Sequence, residues 1–171
     1  QTRDPSGKPV AAEVSLALVD KAILALTSPG AQPLLDVAEA TGLAQRANDY
    51  LAEQVAARPD RYVGMTTVAP QDPEWSAREI VRGARQLRFK GVQINSHTQG
   101  EYLDHPKFDP IFRALAETGQ PLYIHPATPP DSMIGPMLEA GLDGAIFGFG
   151  VDTGMHLLRL IIAGIFDRYP D

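Results

Sequence analysis

The chain has 171 residues, with fifteen Lys plus Arg against twenty-one Asp plus Glu for a formal charge of −6, four histidines and no cysteine. An acidic balance without a basic cluster argues against a nucleic-acid partner, which needs clustered cations to release counterions. The missing cysteines exclude disulfides, thiolate nucleophiles and cysteine-held zinc. No segment reaches the roughly 18 apolar residues of a membrane span, and the opening QTRDPSGKP does not read as a signal peptide. With 44% apolar residues to build a core, the expectation is one cytoplasmic globular domain over residues 1–171.

Lys21 to Leu26 (KAILAL) reads as a first buried strand, stopped by the turn residues Ser28, Pro29 and Gly30. From Leu35 the apolar residues recur at helical spacing. Ala40, Leu43, Ala44, Ala47, Leu51 and Val55 share one face, with Arg46, Asp49 and Glu53 off it. Arg58-Pro59 ends that helix, because a residue before proline is pushed out of the α region. Tyr62 to Val68 predicts a second strand. Asp72-Pro73 predicts an N-cap followed by proline at the first helical position, with Ala77, Ile80, Val81, Ala84 and Leu87 facing inward.

Gly91 to Asn95 predicts a third strand and Pro121 to His125 a fourth. Between them Asp109-Pro110 repeats the cap signal, Phe108, Ile111, Phe112 and Leu115 form a stripe, and Gly119 marks the stop. A last helix is predicted from about Asp152 to Arg168. It is apolar on most sides and so expected to be buried. Gly144 to Gly148 is a further segment that reads as a strand.

Strands separated by helices, at the roughly 30-residue period of a βαβ unit, imply a parallel sheet covered by helices. That pattern fits either a (β/α) barrel or an open doubly wound sheet. A full barrel takes roughly 250 residues, so four or five units would make a partial one, and the chain reads as cut at both ends.

In such folds the chemistry sits at the C-terminal ends of the strands. His125 ends an apolar strand there, where a neutral imidazole on rigid backbone can ligate Zn²⁺ or Mn²⁺. A strand-end histidine also serves as a plain loop anchor, and position alone leaves both readings open. Asn95, Ser96 and His97 leave the neighbouring strand and are expected to project toward the same mouth. Asn95 suits a substrate hydroxyl or carboxylate and His97 a proton transfer, while loop capping explains the same residue types. Ser28 faces the same rim or simply makes a turn. Asp152 and His156, four apart at the start of the last helix, share a face and read best as a stabilised helix start. His105, in EYLDHP, is expected to be exposed. The apolar stretch from Pro126 to Gly150 either walls a pocket or folds as a short helix on the rim. Phosphate-loop, GxSxG and HExxH motifs are absent from the sequence.

Taken together, LALTSPG, RANDYLAE, ARPDRYVGM, FKGVQINSHTQGEYLDHPKFDPIF, PLYIHPATPP and HLLRLIIAGIFDRYP resemble the amidohydrolase-related family. The resemblance is closest to its metal-dependent decarboxylases of the aminocarboxymuconate-semialdehyde and γ-resorcylate type. It implies a (β/α)8 TIM barrel of the metal-dependent hydrolase superfamily, one divalent ion (Zn or Mn), and a non-oxidative decarboxylase acting on a small-molecule aromatic or muconate-type carboxylate. A homodimer or tetramer is implied too. It carries a metal-ligand role onto His125, a substrate-pocket position onto Asn95, His97 and Ser28, and a supporting role onto Asp152 and His156. The family's first-strand Glu/His-x-His pair and its last-strand Asp have no counterpart in this sequence. The chain alone is therefore expected to be inactive and marginally stable, with two strand edges and an apolar face open. A metal-dependent hydrolase or hydratase, and an inactive piece with a binding or assembly role, are the alternatives.

Overall fold

The computed structural model describes residues 36–170. The strand expected at 21–26 and Ser28 lie outside the described residues. Three short strands, β1 (Thr66–Thr67), β2 (Val92–Asn95) and β3 (Leu122–His125), form a parallel sheet in that order. Helix α1 (Val37–Ala57) precedes β1, and α2 (Pro73–Arg85) joins β1 to β2. A 3-10 turn at Pro106–Phe108 leads into α3 (Asp109–Thr118), which joins β2 to β3. Helices α4 (Asp131–Ala140), α5 (Gly148–Ile162) and α6 (Ile165–Arg168) follow. Two successive β-α-β crossovers thus reproduce the predicted rhythm.

Local chemistry explains most of these boundaries. The Asp36 carboxylate accepts from the Glu39 amide at 2.7 Å and opens α1, which ends just before Arg58-Pro59. Asp72 caps α2 through the Trp75 amide at 2.9 Å, with Pro73 at the first helical position. Gly119 closes α3 with φ of 60°, a left-handed conformation that glycine adopts without a Cβ clash. Asp109 does not repeat the cap. It lies inside the helix, and its carboxylate accepts from Arg113, Arg168 and the Tyr169 hydroxyl instead, tying α3 to α6. The Tyr169 hydrogen bond, with the two guanidiniums, holds that carboxyl below its usual range.

Three further expectations need correction. The second strand is only Thr66–Thr67, because its pairing with β2 is confined to Thr66 with Val92 and Thr67 with Gln93. Upstream, Gly64 sits so close to the Phe89 ring that a Cβ there would lie 2.3 Å from it. Residues 144–147 are a turn leading into a helix at Gly148, and not a strand. There the chain doubles back so tightly that a Cβ on Gly148 would lie 2.1 Å from the Asp143 carbonyl oxygen. The last helix begins at Gly148, breaks at Gly164 (φ 69°), and is not buried all round. Only Gly148, Asp152, His156 and Leu160 on α5 are buried, while Leu158, Ile162 and Phe166 are 56%, 85% and 51% exposed. One stripe at four-residue spacing meets the described core; the other side of the helix has no partner among the described residues.

Strand alternation divides the sheet into two unlike faces. Val92 and Ile94 point toward the helices, joining Ile80, Phe108, Ile111, Phe112 and Leu115 in one core, with Leu122 and Ile124 packed against it. Gln93, Asn95, Tyr123 and His125 take the opposite face. On the described strands that face is polar.

Among the described residues, the edge of β1 away from β2 is covered by a side chain. Asn48 of α1 accepts from the Thr67 amide at 2.9 Å through Oδ1, and its Nδ2 donates to the Thr67 carbonyl at 2.9 Å and to Glu79 Oε1 at 2.7 Å. Glu79, itself buried, also takes two bonds from the Arg82 guanidinium, at 2.8 and 2.6 Å. The amide of Asn48 therefore stands in for a neighbouring strand at Thr67.

Candidate metal and substrate site at the strand ends

Parallel pairing sets Asn95 opposite His125 at the ends of β2 and β3, with both side chains on the polar face. The Ser96 amide donates to the His125 carbonyl at 3.0 Å, extending the ladder past the strand end. His125 Nδ1 lies 2.9 Å from the Pro126 carbonyl oxygen, so that nitrogen carries the proton and donates. Nε2 then keeps its lone pair, with no hydrogen-bond partner among the described residues. A histidine fixed through one ring nitrogen and bare at the other is arranged as a metal ligand is. Asn95 is half-buried, and its Oδ1 is enclosed without a hydrogen-bond partner among the described residues. An enclosed acceptor left unpaired costs roughly 1–3 kcal/mol, so a donor that fills it would gain accordingly.

The neighbouring residues are less uniform than the sequence suggests. Ser96 does not join the mouth: alternation turns its side chain to the helix side, where its hydroxyl lies 3.2 Å from His156 Nδ1. His97 returns toward the rim, but both its ring nitrogens are engaged. Nδ1 accepts from the Gly100 amide at 3.0 Å, so Nε2 donates to the Thr128 carbonyl at 2.9 Å. His97 thereby braces the loop after β2 against the loop after β3. The stretch from Pro126 to Gly150 contains helix α4, the second of the two forms expected for it, with Pro136 inside and no buried residue. His105 is exposed, as expected, and accepts from the Lys107 amide.

Asp152 and His156 are not a solvent-facing helix start. Asp152 lies beyond the first turn of α5, both residues are 0% exposed, and both turn onto the 96–103 loop. The Tyr102 hydroxyl donates to Asp152 Oδ1 at 2.5 Å, and the Leu103 amide donates to His156 Nε2 at 3.1 Å. With Nε2 accepting, the imidazole proton sits on Nδ1 and points at Ser96. Burial pushes the His156 imidazole down to about 4, against the opposing pull of Asp152 and Asp104. Burial, aided by the bond to Asp152, pushes the Tyr102 phenol up.

The depressed His156 pKa has a definite sign for stability. At pH 7 the ring is neutral in both folded and unfolded chains and costs nothing. Below about 6.5 the unfolded chain takes up a proton that the folded chain refuses, so stability falls as pH drops toward 4. The full loss is about 3 kcal/mol. Urea unfolding at pH 7.5 and 4.5 should show this fall, and His156→Gln should flatten it. An unchanged pH slope in that variant would mean that other groups set it.

Two further residues of this face carry a signal in the sequence. Counting back by twos from Asn95 and His125 places Gln93 and Tyr123 on the site face, and Tyr123 sets its ring edge-on to His125 at 6.2 Å between centroids. Tyr102 and the buried role of Ser96 had no comparable local signal.

The amidohydrolase family profile matches residues 22–171. The chain belongs to the amidohydrolase family. Among curated relatives, this amidohydrolase is 37% identical over 160 residues to the γ-resorcylate decarboxylase of Polaromonas sp., covering 89% of the chain and 49% of the relative. It is 32% identical over 135 residues to the 2-amino-3-carboxymuconate-6-semialdehyde decarboxylase of Dictyostelium discoideum, covering 78% and 36%. Among solved structures, 5-carboxyvanillate decarboxylase from Novosphingobium aromaticivorans, complexed with manganese and 4-hydroxy-3-methoxy-5-nitrobenzoic acid, superimposes with a TM-score of 0.79 and 76% identity. That match covers 84% of this chain and 41% of the other. The 2,6-dihydroxybenzoate decarboxylase from Rhizobium gives a TM-score of 0.72 and 32% identity over 75% and 42%. The amidohydrolase chain thus spans about half the length of the curated relatives it matches. Its βα units are part of the TIM-barrel fold of that superfamily.

A divalent ion needs three or more protein ligands to be held tightly. No group of three His, Asp or Glu side chains converges among the described residues. His125, with its bare Nε2, fits as one donor; the described part of this amidohydrolase does not complete the set. No described helix is long and apolar enough to cross a membrane.

Proposed function

We propose that this chain forms part of a cytoplasmic, homo-oligomeric, manganese- or zinc-dependent decarboxylase that removes CO₂ without oxidation from an ortho-hydroxy aromatic carboxylate of the 5-carboxyvanillate kind. The observation that carries the reading is the 76% identity to the manganese-containing 5-carboxyvanillate decarboxylase, across a segment that includes His125 and Asn95. The single-domain reading of residues 1–171 belongs to the same proposal, and the exposed apolar side of α5 and α6 supports self-association.

The ion, when bound, supplies a Lewis acid that draws electron density from the substrate's oxygens. His125 offers Nε2 to it as one ligand, with Nδ1 held by the Pro126 carbonyl so that the ring cannot turn away. Asn95 sits beside it on the next strand, and its enclosed Oδ1 accepts a hydrogen bond from a substrate hydroxyl. Gln93 and Tyr123 line the same face farther from the strand ends, where they meet the ring's other substituents. The departing CO₂ leaves the bond's electrons on the ring carbon, which takes a proton, so no oxidant or reductant is consumed. His97 enters as a brace: it can hand over its Nε2 proton only by releasing Thr128. Ser28 stays in the reading as a rim contact carried by resemblance alone.

The test is direct. The enzyme, loaded with manganese and given 5-carboxyvanillate, should release one CO₂ per ring in the absence of oxygen, and EDTA should stop the release until metal is restored. Ring opening, water incorporation, or turnover indifferent to EDTA would each overturn the reading.

A further inference from the structure

The loop between β2 and α3 carries site residues at its start, and an element distant in sequence grips both of its ends. Residues 98–101 form a tight hairpin tip. Thr98 and Glu101 exchange backbone hydrogen bonds at 2.9 and 3.0 Å, while Gln99 (φ 55°) and Gly100 (φ 80°) turn the chain in the left-handed region. Such a tip has little core of its own. Its two stems are pinned by one imidazole from α5: His156 donates from Nδ1 to the Ser96 hydroxyl at 3.2 Å and accepts at Nε2 from the Leu103 amide at 3.1 Å. One turn earlier on the same helix, Asp152 takes the Tyr102 hydroxyl. Ser96 in turn donates its amide to the carbonyl of His125. An unbroken chain of contacts therefore runs from α5 through the loop to the metal-ligand candidate.

We propose that His156 is a positioning residue of the strand-end site, clamping both ends of the 96–103 loop and so fixing Asn95 and His125 in register. The inference rests on the proposed decarboxylase reading for what the site does, and on the hydrogen bonds alone for how it is held. A leucine would fill the buried volume equally well, so packing does not demand an imidazole here. What a leucine lacks is a donor and an acceptor on opposite sides of one rigid ring. The charged and titratable groups facing that ring are Asp152 and Arg159 on α5 and His97, Tyr102 and Asp104 on the loop. Arg159 is itself held by two bonds to Asp104, at 2.9 and 2.7 Å, and lies over the Tyr102 ring at 5.1 Å. The clamp is thus flanked by a second tie between the same two elements.

The experiment compares wild type, His156→Leu, His156→Gln and Ser96→Ala in the intact, metal-loaded enzyme, by amide hydrogen exchange across 96–103 and by kcat and KM for CO₂ release. His156→Leu should speed exchange of the loop amides at least about tenfold while amides of β2 and α3 keep their protection. It should lower kcat about tenfold to a hundredfold, since small misplacements of site groups cost that much. His156→Gln retains an acceptor within reach of the Leu103 amide and should recover most of both. Ser96→Ala, which removes only a hydroxyl, should loosen the first stem and lower kcat a few-fold; it carries the test if His156→Leu does not fold. Unchanged loop exchange together with unchanged kcat in His156→Leu would overturn the clamp. If wild type releases no CO₂ but the loop loosens as described, the clamp stands and the decarboxylase reading falls.

Discussion

His125→Ala in the intact enzyme is expected to abolish both manganese retention and CO₂ release. The ring is the one described side chain at the strand ends with an imidazole nitrogen left bare, and its other nitrogen is committed to the Pro126 carbonyl. Replacing the partners that merely orient metal ligands costs 10–100-fold in affinity or activity. Loss of a ligand itself should exceed that, taking turnover down by on the order of a thousandfold. The surface variant His105→Ala provides the control. That residue is exposed, its ring accepts only from the nearby Lys107 amide among the described residues, and its loss should leave the rate unchanged. Metal analysis after gel filtration, alongside the rate, separates the outcomes. A His125→Ala enzyme that keeps one equivalent of manganese and an undiminished rate removes the metal assignment.

The second large effect is on stability. Asn48→Leu should destabilise the chain by about 3–4 kcal/mol, since it strips three partners at once. The Thr67 amide and carbonyl lose their only described edge partner, and Glu79 loses a donor to a carboxylate that is 4% exposed. Each enclosed polar group left unpaired costs roughly 1–3 kcal/mol. Arg82 continues to hold Glu79 through two bonds, which keeps the loss below that of a stranded charge. Asn48→Asp should fare little better, because it keeps an acceptor for the Thr67 amide but sets a second carboxylate against Glu79. Chemical denaturation followed by circular dichroism measures the effect, and a change below about 1 kcal/mol would mean that the β1 edge contributes little.

The sequence disclosed those features that repeat or that carry a local chemical reason. The β-α-β rhythm, the Asp72 helix start, the stop at Gly119 and the strand-end position of His125 all follow from patterns only a few residues long. Segments whose form depends on a distant partner were not legible in this way. The strand at Thr66–Thr67 is short because β2 pairs with only those two residues. Asn48 lies beside the apolar stripe of α1, and its burial follows from its bonds to Thr67 and Glu79, which no local pattern discloses. The apolar sequence of α5 predicted burial on all sides, yet only the stripe through Asp152, His156 and Leu160 meets described neighbours. The four-residue spacing of Asp152 and His156 reveals a shared face and not what that face meets. Their targets, Tyr102, Ser96 and Leu103, lie about 50 to 60 residues earlier in the chain.

The two unlike faces of the sheet separate what can be altered in this protein. Residues that hold it together (Val92, Ile94, Leu122, Ile124) alternate with residues that look onto the ligand side (Gln93, Asn95, Tyr123, His125). On the proposed reading, a change at Gln93 or Tyr123 is expected to alter which acid is accepted while leaving the scaffold's cohesion nearly intact. Adjacent positions along the same strand answer to different physical demands. Such an arrangement would let the binding face be changed one residue at a time without first making the fold more robust.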